Sequence, residues 1–233
     1  RVSLDVFEGD RFVLLGASGC GKSTLLKALG GFITPAEGQI LLDGQPVHGL
    51  TPDRLAQRGV ARTFQNLQVC MNMLAIENVM VGAHLRLDRS LFKAALRWPA
   101  LRRADAALRD EAAELMRFVG LAQYLTARAD SMPYGALKRL EIARALAMRP
   151  RLLFLDEPAA GLNPKETQEV DALVRRIADA GVTVVLVEHD MKMVMNLSER
   201  ILVLDYGKKL AEGNRDEIRR NPDVIAAYLG AHA

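Results

Sequence analysis

The sequence predicts an α/β protein built on a parallel sheet, with a helical segment inserted in its middle. Short apolar runs alternate with helical patterns near both ends of the chain, and a glycine-rich loop joins an early strand-like run to a helix-like run. Between about 73 and 149, apolar residues instead recur every three or four positions. We therefore expect one domain, with a core of about 1–72 and 150–233 and a helical subdomain of about 73–149.

The composition is that of an ordinary globular protein. Of 233 residues, 50% are hydrophobic and 25% are charged, and 31 basic against 28 acidic side chains leave a net charge of +3. This near balance gives little reason to expect nucleic acid as a partner. No apolar run approaches the roughly 20 residues that span a bilayer. Two cysteines are too few for a disulfide framework, so we expect a reducing, cytoplasmic setting.

The first elements are a hairpin and a buried strand. Val2, Leu4 and Val6 alternate with polar residues, a turn signal follows at 8–10, and the run 12–15 is apolar throughout. This pattern predicts a hairpin that leads into a buried strand.

A helix and shorter strands follow. The pattern over 23–29 predicts a helix that two glycines, 30–31, bring to an end. Strand-like pieces lie at about 38–43 and 60–64, and Pro52 between them marks the first position of another helix. Three apolar runs follow the insert and alternate with helical segments, the pattern of a parallel sheet: 152–155, 182–187 and 201–204.

A phosphate-binding loop is the strongest functional signal. Residues 16–23, called the phosphate loop below, fit G-x-x-x-x-G-K-[ST] between a strand and a helix. Glycines let backbone N–H groups curl around phosphate oxygens, and the helix N-terminus presents its positive end to the same anion. Lys22 adds a charge at the β- and γ-phosphates, and the Ser23 hydroxyl can bind Mg²⁺. The expected nucleotide-binding residues here are Gly16, Ala17, Ser18, Gly19, Cys20, Gly21, Lys22, Ser23 and Thr24.

Two carboxylates follow a later strand. Asp156 and Glu157 come directly after the apolar run 152–155, at the carboxyl end of a parallel strand, where such sheets bind ligands. We predict that Asp156 binds Mg²⁺ and that Glu157 is the general base that activates water. The alternative, an ordinary solvated strand end, is disfavoured by the phosphate loop in the same chain.

These motifs, in this order, resemble the ATP-binding subunits of ABC transporters over nearly the whole chain. The resemblance implies a P-loop NTPase fold of ABC type, with an antiparallel β portion. It implies that Gln65 binds Mg²⁺ and senses the membrane partner. It also implies that His189 contacts the γ-phosphate during catalysis. Residues 132–136 align with the signature motif of the family, of which only Gly135 is retained. Two chains would sandwich ATP, so that Gly135 of one completes the nucleotide site of the other.

The resemblance also implies partners and a location. It implies transmembrane permease subunits, a second identical or related ATP-binding subunit and, indirectly, a substrate-binding protein, at the cytoplasmic face of the bacterial inner membrane. It further places the aromatic residue that stacks on adenine upstream of Arg1.

The substrate of the transporter is less sharply indicated. Residues from about 50 onward resemble the subunits of branched-chain amino-acid importers, whereas the first third looks more like the subunits for nitrate, taurine or sulfonate import. We give the later region more weight because it includes the groove and insert that face a permease in this family. Lipopolysaccharide export and a soluble ABC ATPase that acts on nucleic acid stand as alternatives.

Overall fold

The computed structural model describes residues 2–86, 98–189 and 191–228. The chain divides into two compact units, Arg1–Gln65 with Arg151–Ala233, and Asn66–Pro150. The first unit carries the main sheet, and the second is helical in its described residues. That the two form a single functional domain stays a prediction.

A mainly parallel sheet forms the core of the first unit. Its strands are β1 Arg11–Gly16, β4 Val60–Arg62, β5 Leu152–Asp156, β6 Thr183–Glu188, β7 Arg200–Asp205 and β8 Lys208–Gly213. Their order is β4-β5-β6-β1-β7-β8, and every adjacent pair is parallel except β7 with β8. The predicted α/β class and parallel sheet are confirmed.

Helices alternate with the strands of this sheet along the sequence. Those of the first unit are α1 Lys22–Leu29, α2 Pro52–Gln57, α6 Pro164–Asp179, α7 Met191–Leu197, α8 Arg215–Arg220 and α9 Pro222–Tyr228. In α6 the buried positions recur at helical spacing, which places one apolar face inside: Val170, Leu173, Val174, Ile177 and Ala178. The strands β1, β5, β6 and β7 are apolar along most of their length, and Phe12, Leu14 and Val187 are completely shielded from solvent. Such runs are typical of a parallel sheet that is covered on both faces.

The predicted hairpin at the start of the chain is wrong. Residues 2–7 form no strand, although the alternating apolar residues of 2–6 are half-buried against the core and the polar residues between them are exposed. The carbonyls of Ser3 and Asp5 accept hydrogen bonds from the side chains of Lys209 and Arg200. The alternation therefore reports burial correctly, while side chains bind the backbone groups that a strand partner would have paired.

The predicted strand at 38–43 shortens to a two-residue strand. β2, Leu41–Leu42, pairs antiparallel with β3, Gln45–Pro46. Asp43 and Gly44 between them have φ values of 51° and 73°. Two successive left-handed residues, with Asp followed by Gly, make the tight turn that suits a hairpin. This hairpin supplies a separate antiparallel portion of the fold.

Three helices dominate the second unit: α3 Ala75–Gly82, α4 Trp98–Phe118 and α5 Tyr134–Leu146. The helices α3 and α5 approach closely, because a Cβ built on Gly82 would lie only 2.0 Å from the carbonyl oxygen of Arg144. Residues 87–97 of the predicted helical insert lie outside the described residues. No helix among the residues that the structure describes is long and apolar enough to cross a membrane.

Candidate nucleotide-binding site

The sequence-predicted site residues of the first unit all lie where parallel strands end. The phosphate loop follows β1, Gln65 follows β4, Asp156 and Glu157 come at the end of β5, and His189 follows β6. These strands are neighbours in the order β4-β5-β6-β1 and run in the same direction. Their carboxyl ends therefore meet at one edge of the sheet, the usual ligand edge of open α/β sheets. Topology brings four separate segments to one site.

The phosphate loop is anchored on one side and exposed on the other. Gly19 and Gly21 have φ values of 77° and 106°, which residues with a side chain rarely adopt. The carbonyl of buried Cys20 accepts a hydrogen bond of 2.8 Å from the N–H of Gly207, in the turn between β7 and β8. Residues 17–19 are exposed. The loop thus offers its backbone to a ligand from a fixed base.

Lys22 folds its side chain back over this loop. Its Nζ donates hydrogen bonds to the carbonyls of Gly16 at 2.6 Å and Ala17 at 3.0 Å, and the residue is only 6% exposed. A buried ammonium needs such acceptors. The same group is held beside the exposed part of the loop, where it can bind phosphate oxygens.

Asp156 is a buried carboxylate with a fixed partner. Its Oδ2 accepts a hydrogen bond of 2.9 Å from Arg62, and its backbone N–H donates to Thr63 Oγ1 at 3.3 Å. The guanidinium of Arg62 lies 5.3 Å from the ring centre of Phe32 and 5.5 Å from that of Phe64. Sequence reasoning singled out this segment for Gln65 and missed Arg62 and Thr63, which hold the predicted metal ligand.

Glu157 and His189 are brought together. Oε1 of Glu157 lies 3.6 Å from Nδ1 of His189, and the two side chains are 20% and 60% exposed. Glu157 has a φ of 48°, an unusual value for a residue with a side chain, and its N–H donates to the carbonyl of Val187. Such backbone outliers cluster at functional sites, where surrounding contacts maintain them. The arrangement pairs a carboxylate with an imidazole at the ligand edge of the sheet.

Comparison with known sequences decides the family. The family described as "ABC transporter" matches residues 1–160. The chain belongs to the ABC transporter family. A second family description, "Branched-chain amino acid ATP-binding cassette transporter", matches residues 208–233 of this ABC chain. The recognition of the family from its motifs is confirmed, and the protein is a nucleotide-binding ATPase of ABC type.

Relatives match this ABC chain over almost its full length. It is 44% identical over 230 residues to the high-affinity branched-chain amino acid transport ATP-binding protein BraF of Pseudomonas aeruginosa, covering 98% of this chain and 90% of BraF. It is 44% identical over 231 residues to the corresponding protein LivG of Escherichia coli, covering 99% and 91%.

A solved ABC structure has the same fold. The crystal structure of the ADP conformation of MJ1267, an ATP-binding cassette of an ABC transporter, matches with a TM-score of 0.83 at 26% identity. The match covers 98% of this chain and 91% of that one. The ABC-type fold expected from the motifs is therefore confirmed.

Gly135 lies in the second unit. It is the second residue of α5, follows Pro133 at the N-cap by two positions, and is buried. Gly135 therefore lies in the first turn of a helix. The contact of Gly135 with the nucleotide of a second ABC subunit stays a prediction.

Proposed function

We propose that this chain is the ATP-hydrolysing subunit that powers an importer of branched-chain amino acids. The observation that carries the substrate class is the 44% identity with BraF and LivG, over nearly the full length of all three chains. The identity is lower, at 34%, with a relative that is named for a different substrate, the spermidine/putrescine import ATP-binding protein PotA 1 of Pseudomonas aeruginosa. The resemblance of the first third to nitrate, taurine or sulfonate importers carries less weight beside these full-length identities.

The residues at the edge of the sheet are suited to ATP hydrolysis. The phosphate loop and Lys22 would bind the β- and γ-phosphates. Glu157 would take the proton of the attacking water as general base, and His189, 3.6 Å from it, would contact the γ-phosphate.

The donor chemistry also fits Mg²⁺. A hydroxyl from Ser23, an amide oxygen from Gln65 and a carboxylate from Asp156 are the hard oxygen ligands that this ion prefers. When bound, Mg²⁺ neutralises charge on the transferred phosphoryl group. Because Asp156 is already ordered by Arg62, the carboxylate would be held in place before the ion arrives.

Partners follow from the function. An importer subunit of this kind works with membrane permease subunits. We further assign it a second ATP-binding subunit, identical or related, whose Gly135 completes each nucleotide site, and indirectly a substrate-binding protein. We also assign the chain a peripheral position at the cytoplasmic face of the bacterial inner membrane.

Two measurements test the proposal. The Glu157→Gln variant should bind MgATP but hydrolyse it at least ~10²-fold more slowly, because a positioned general base contributes about 10² to 10⁴. In vesicles that contain the permease and binding protein, leucine should stimulate ATP hydrolysis by the wild type, whereas nitrate or taurine should not. Near-normal turnover by Glu157→Gln removes that residue from the role. Stimulation by nitrate or taurine alone contradicts the substrate class.

A further inference from the structure

A buried glutamate joins two loops of the site. Glu188 is the last residue of β6, whose other members are apolar apart from Thr183, and it is 2% exposed. Its Oε1 accepts a hydrogen bond from the N–H of Ala159, and its Oε2 accepts one from the N–H of His189, each at 3.3 Å. Ala159 lies in the loop after β5, and His189 lies in the loop after β6. One side chain therefore holds the backbone of both loops.

The surroundings of this carboxylate act on its charge in opposite directions. Burial raises the pKa of Glu188, and the hydrogen bonds from the N–H groups of Ala159 and His189 oppose that rise. Among the described residues, two ionisable side chains act on it: His189 lowers the pKa of Glu188, and Glu157 raises it. A buried carboxylate is costly unless it is hydrogen-bonded. Both oxygens of Glu188 are used in this way.

The two loops begin with Glu157 and His189, called the hydrolytic pair below. Glu157 lies two residues before Ala159. The N–H of Glu157 donates a hydrogen bond to the carbonyl of Val187, the residue that precedes Glu188. His189 directly follows Glu188. Any movement of either loop away from Glu188 changes the 3.6 Å separation between Glu157 Oε1 and His189 Nδ1. The hydrogen bonds of Glu188 to the two loops, called the brace below, therefore lie within one or two residues of Glu157 and His189 along the backbone.

We propose that Glu188 is a positioning residue that fixes His189 against Glu157 by holding the backbone of both loops. Glu188 acts through the two loops and does not itself contact ATP. The inference rests on the proposed function, since it concerns the same hydrolytic site.

The Glu188→Gln variant tests the brace. It keeps the size of the side chain, but its NH₂ group must face one of the two backbone N–H groups that the carboxylate now binds, and two donors repel. We expect kcat to fall by up to about 10²-fold, the effect of a small misplacement of catalytic groups, while KM for ATP is unchanged. Hydrogen exchange should become faster at the amides of Ala159 and His189.

A matched control is Glu199→Gln. Glu199 pairs with Arg11 near the amino ends of β1 and β7, at the opposite edge of the sheet. This variant also removes one negative charge from the first unit, and it should leave kcat and both amide exchange rates at their wild-type values. A fall in kcat equal to that of Glu188→Gln would overturn the proposal, because loss of charge alone would then explain the effect.

The wild-type protein supplies a measurement that does not depend on how the variant folds. The amides of Ala159 and His189 should be protected from exchange in the native chain, and exchange at the rate of open loops would overturn the brace. Unchanged kcat in a folded Glu188→Gln protein would also overturn it. The Glu157→Gln variant separates the failure of the proposed function from the failure of the positioning role. Normal turnover by Glu157→Gln rejects the role of the hydrolytic pair, Glu157 and His189. Slow turnover by Glu157→Gln together with normal turnover by Glu188→Gln rejects only the positioning role of Glu188.

Discussion

Arg62 and Asp156 form an ion pair of 2.9 Å in which the two side chains are only 9% and 5% exposed. The same guanidinium donates to the carbonyl of Leu26 at 3.3 Å and lies against the rings of Phe32 and Phe64. Arg62 therefore links β4, the end of β5 and the helix that follows the phosphate loop. It satisfies a carboxylate that would otherwise be buried without a counter-charge.

The Arg62→Met variant should lose about 3–5 kcal/mol of unfolding free energy, because removal of one partner leaves the other charge buried and unpaired. Urea denaturation measures this loss. The double variant Arg62→Met/Asp156→Asn should recover part of it, since the buried negative charge is then gone.

Arg151 and Asp43 provide the matched control for this prediction. They form an ion pair of 2.6 Å with side chains that are 66% and 64% exposed. Arg151→Met should cost at most about 1 kcal/mol, as is usual for exposed pairs. Equal losses in Arg62→Met and Arg151→Met would show that burial does not govern the strength of the inner pair.

The motifs of the site could be predicted from sequence, whereas its supports could not. The phosphate loop and the acidic strand end each lie within a few consecutive residues, so their spacing is visible directly. Arg62 lies 94 positions from Asp156, and Glu188 lies 29 positions from Ala159. These pairs depend on the parallel register of β4, β5 and β6, which a single sequence does not specify.

The fold shows the same division. Buried parallel strands were predicted because their apolar runs are continuous. β8, Lys208–Gly213, was missed because it is an edge strand with two exposed lysines and no apolar run. The run at 2–6 has the period of a strand, but a strand also needs a neighbouring backbone to pair with.

Lys22→Ala should weaken ATP binding by about 10- to 150-fold, corresponding to the 1.5–3 kcal/mol of a hydrogen bond to a charged group. Titration of ATP against both proteins measures this. Lys27→Ala is the control, because Lys27 is an exposed lysine on the same helix α1 and should leave the affinity unchanged. Equal affinities for wild type and Lys22→Ala would contradict the role of the loop.

Gly31 should tolerate no side chain. Its φ is 75°, and an added Cβ would lie 2.4 Å from the carbonyl oxygen of Leu50. Gly31→Ala should cost about 2–5 kcal/mol, the sum of backbone strain and overpacking. Gly38, with a φ of 89° and nothing within 4 Å of an added Cβ, isolates the backbone term. Gly38→Ala should cost about 1–2 kcal/mol in thermal or urea unfolding, and equal costs would remove the steric contribution.

The lowered pKa of Glu111 predicts how the stability of the second unit depends on pH. Its carboxylate binds both terminal nitrogens of Arg86, at 2.6 and 2.8 Å, and Nε of Arg149 at 3.0 Å. The hydrogen bonds from Arg86, with a smaller contribution from Arg149, lower the pKa of Glu111 from 4.5 to about 2. Because the folded pKa is depressed, the stabilisation is present above pH 4.5 and is lost as the pH falls towards 2.

The Glu111→Gln variant should therefore be less stable than the wild type at neutral pH, and the difference should shrink as the pH falls from 4.5 to 2. Thermal unfolding of both proteins across that range measures the difference. Glu114→Gln is the control, because Glu114 forms an exposed pair with Arg117 on the same helix and should keep the wild-type pH dependence. Parallel curves for wild type and Glu111→Gln would mean that the ion pairs of Glu111 add no stability to the folded state, since only a pKa difference between folded and unfolded states makes the curves converge.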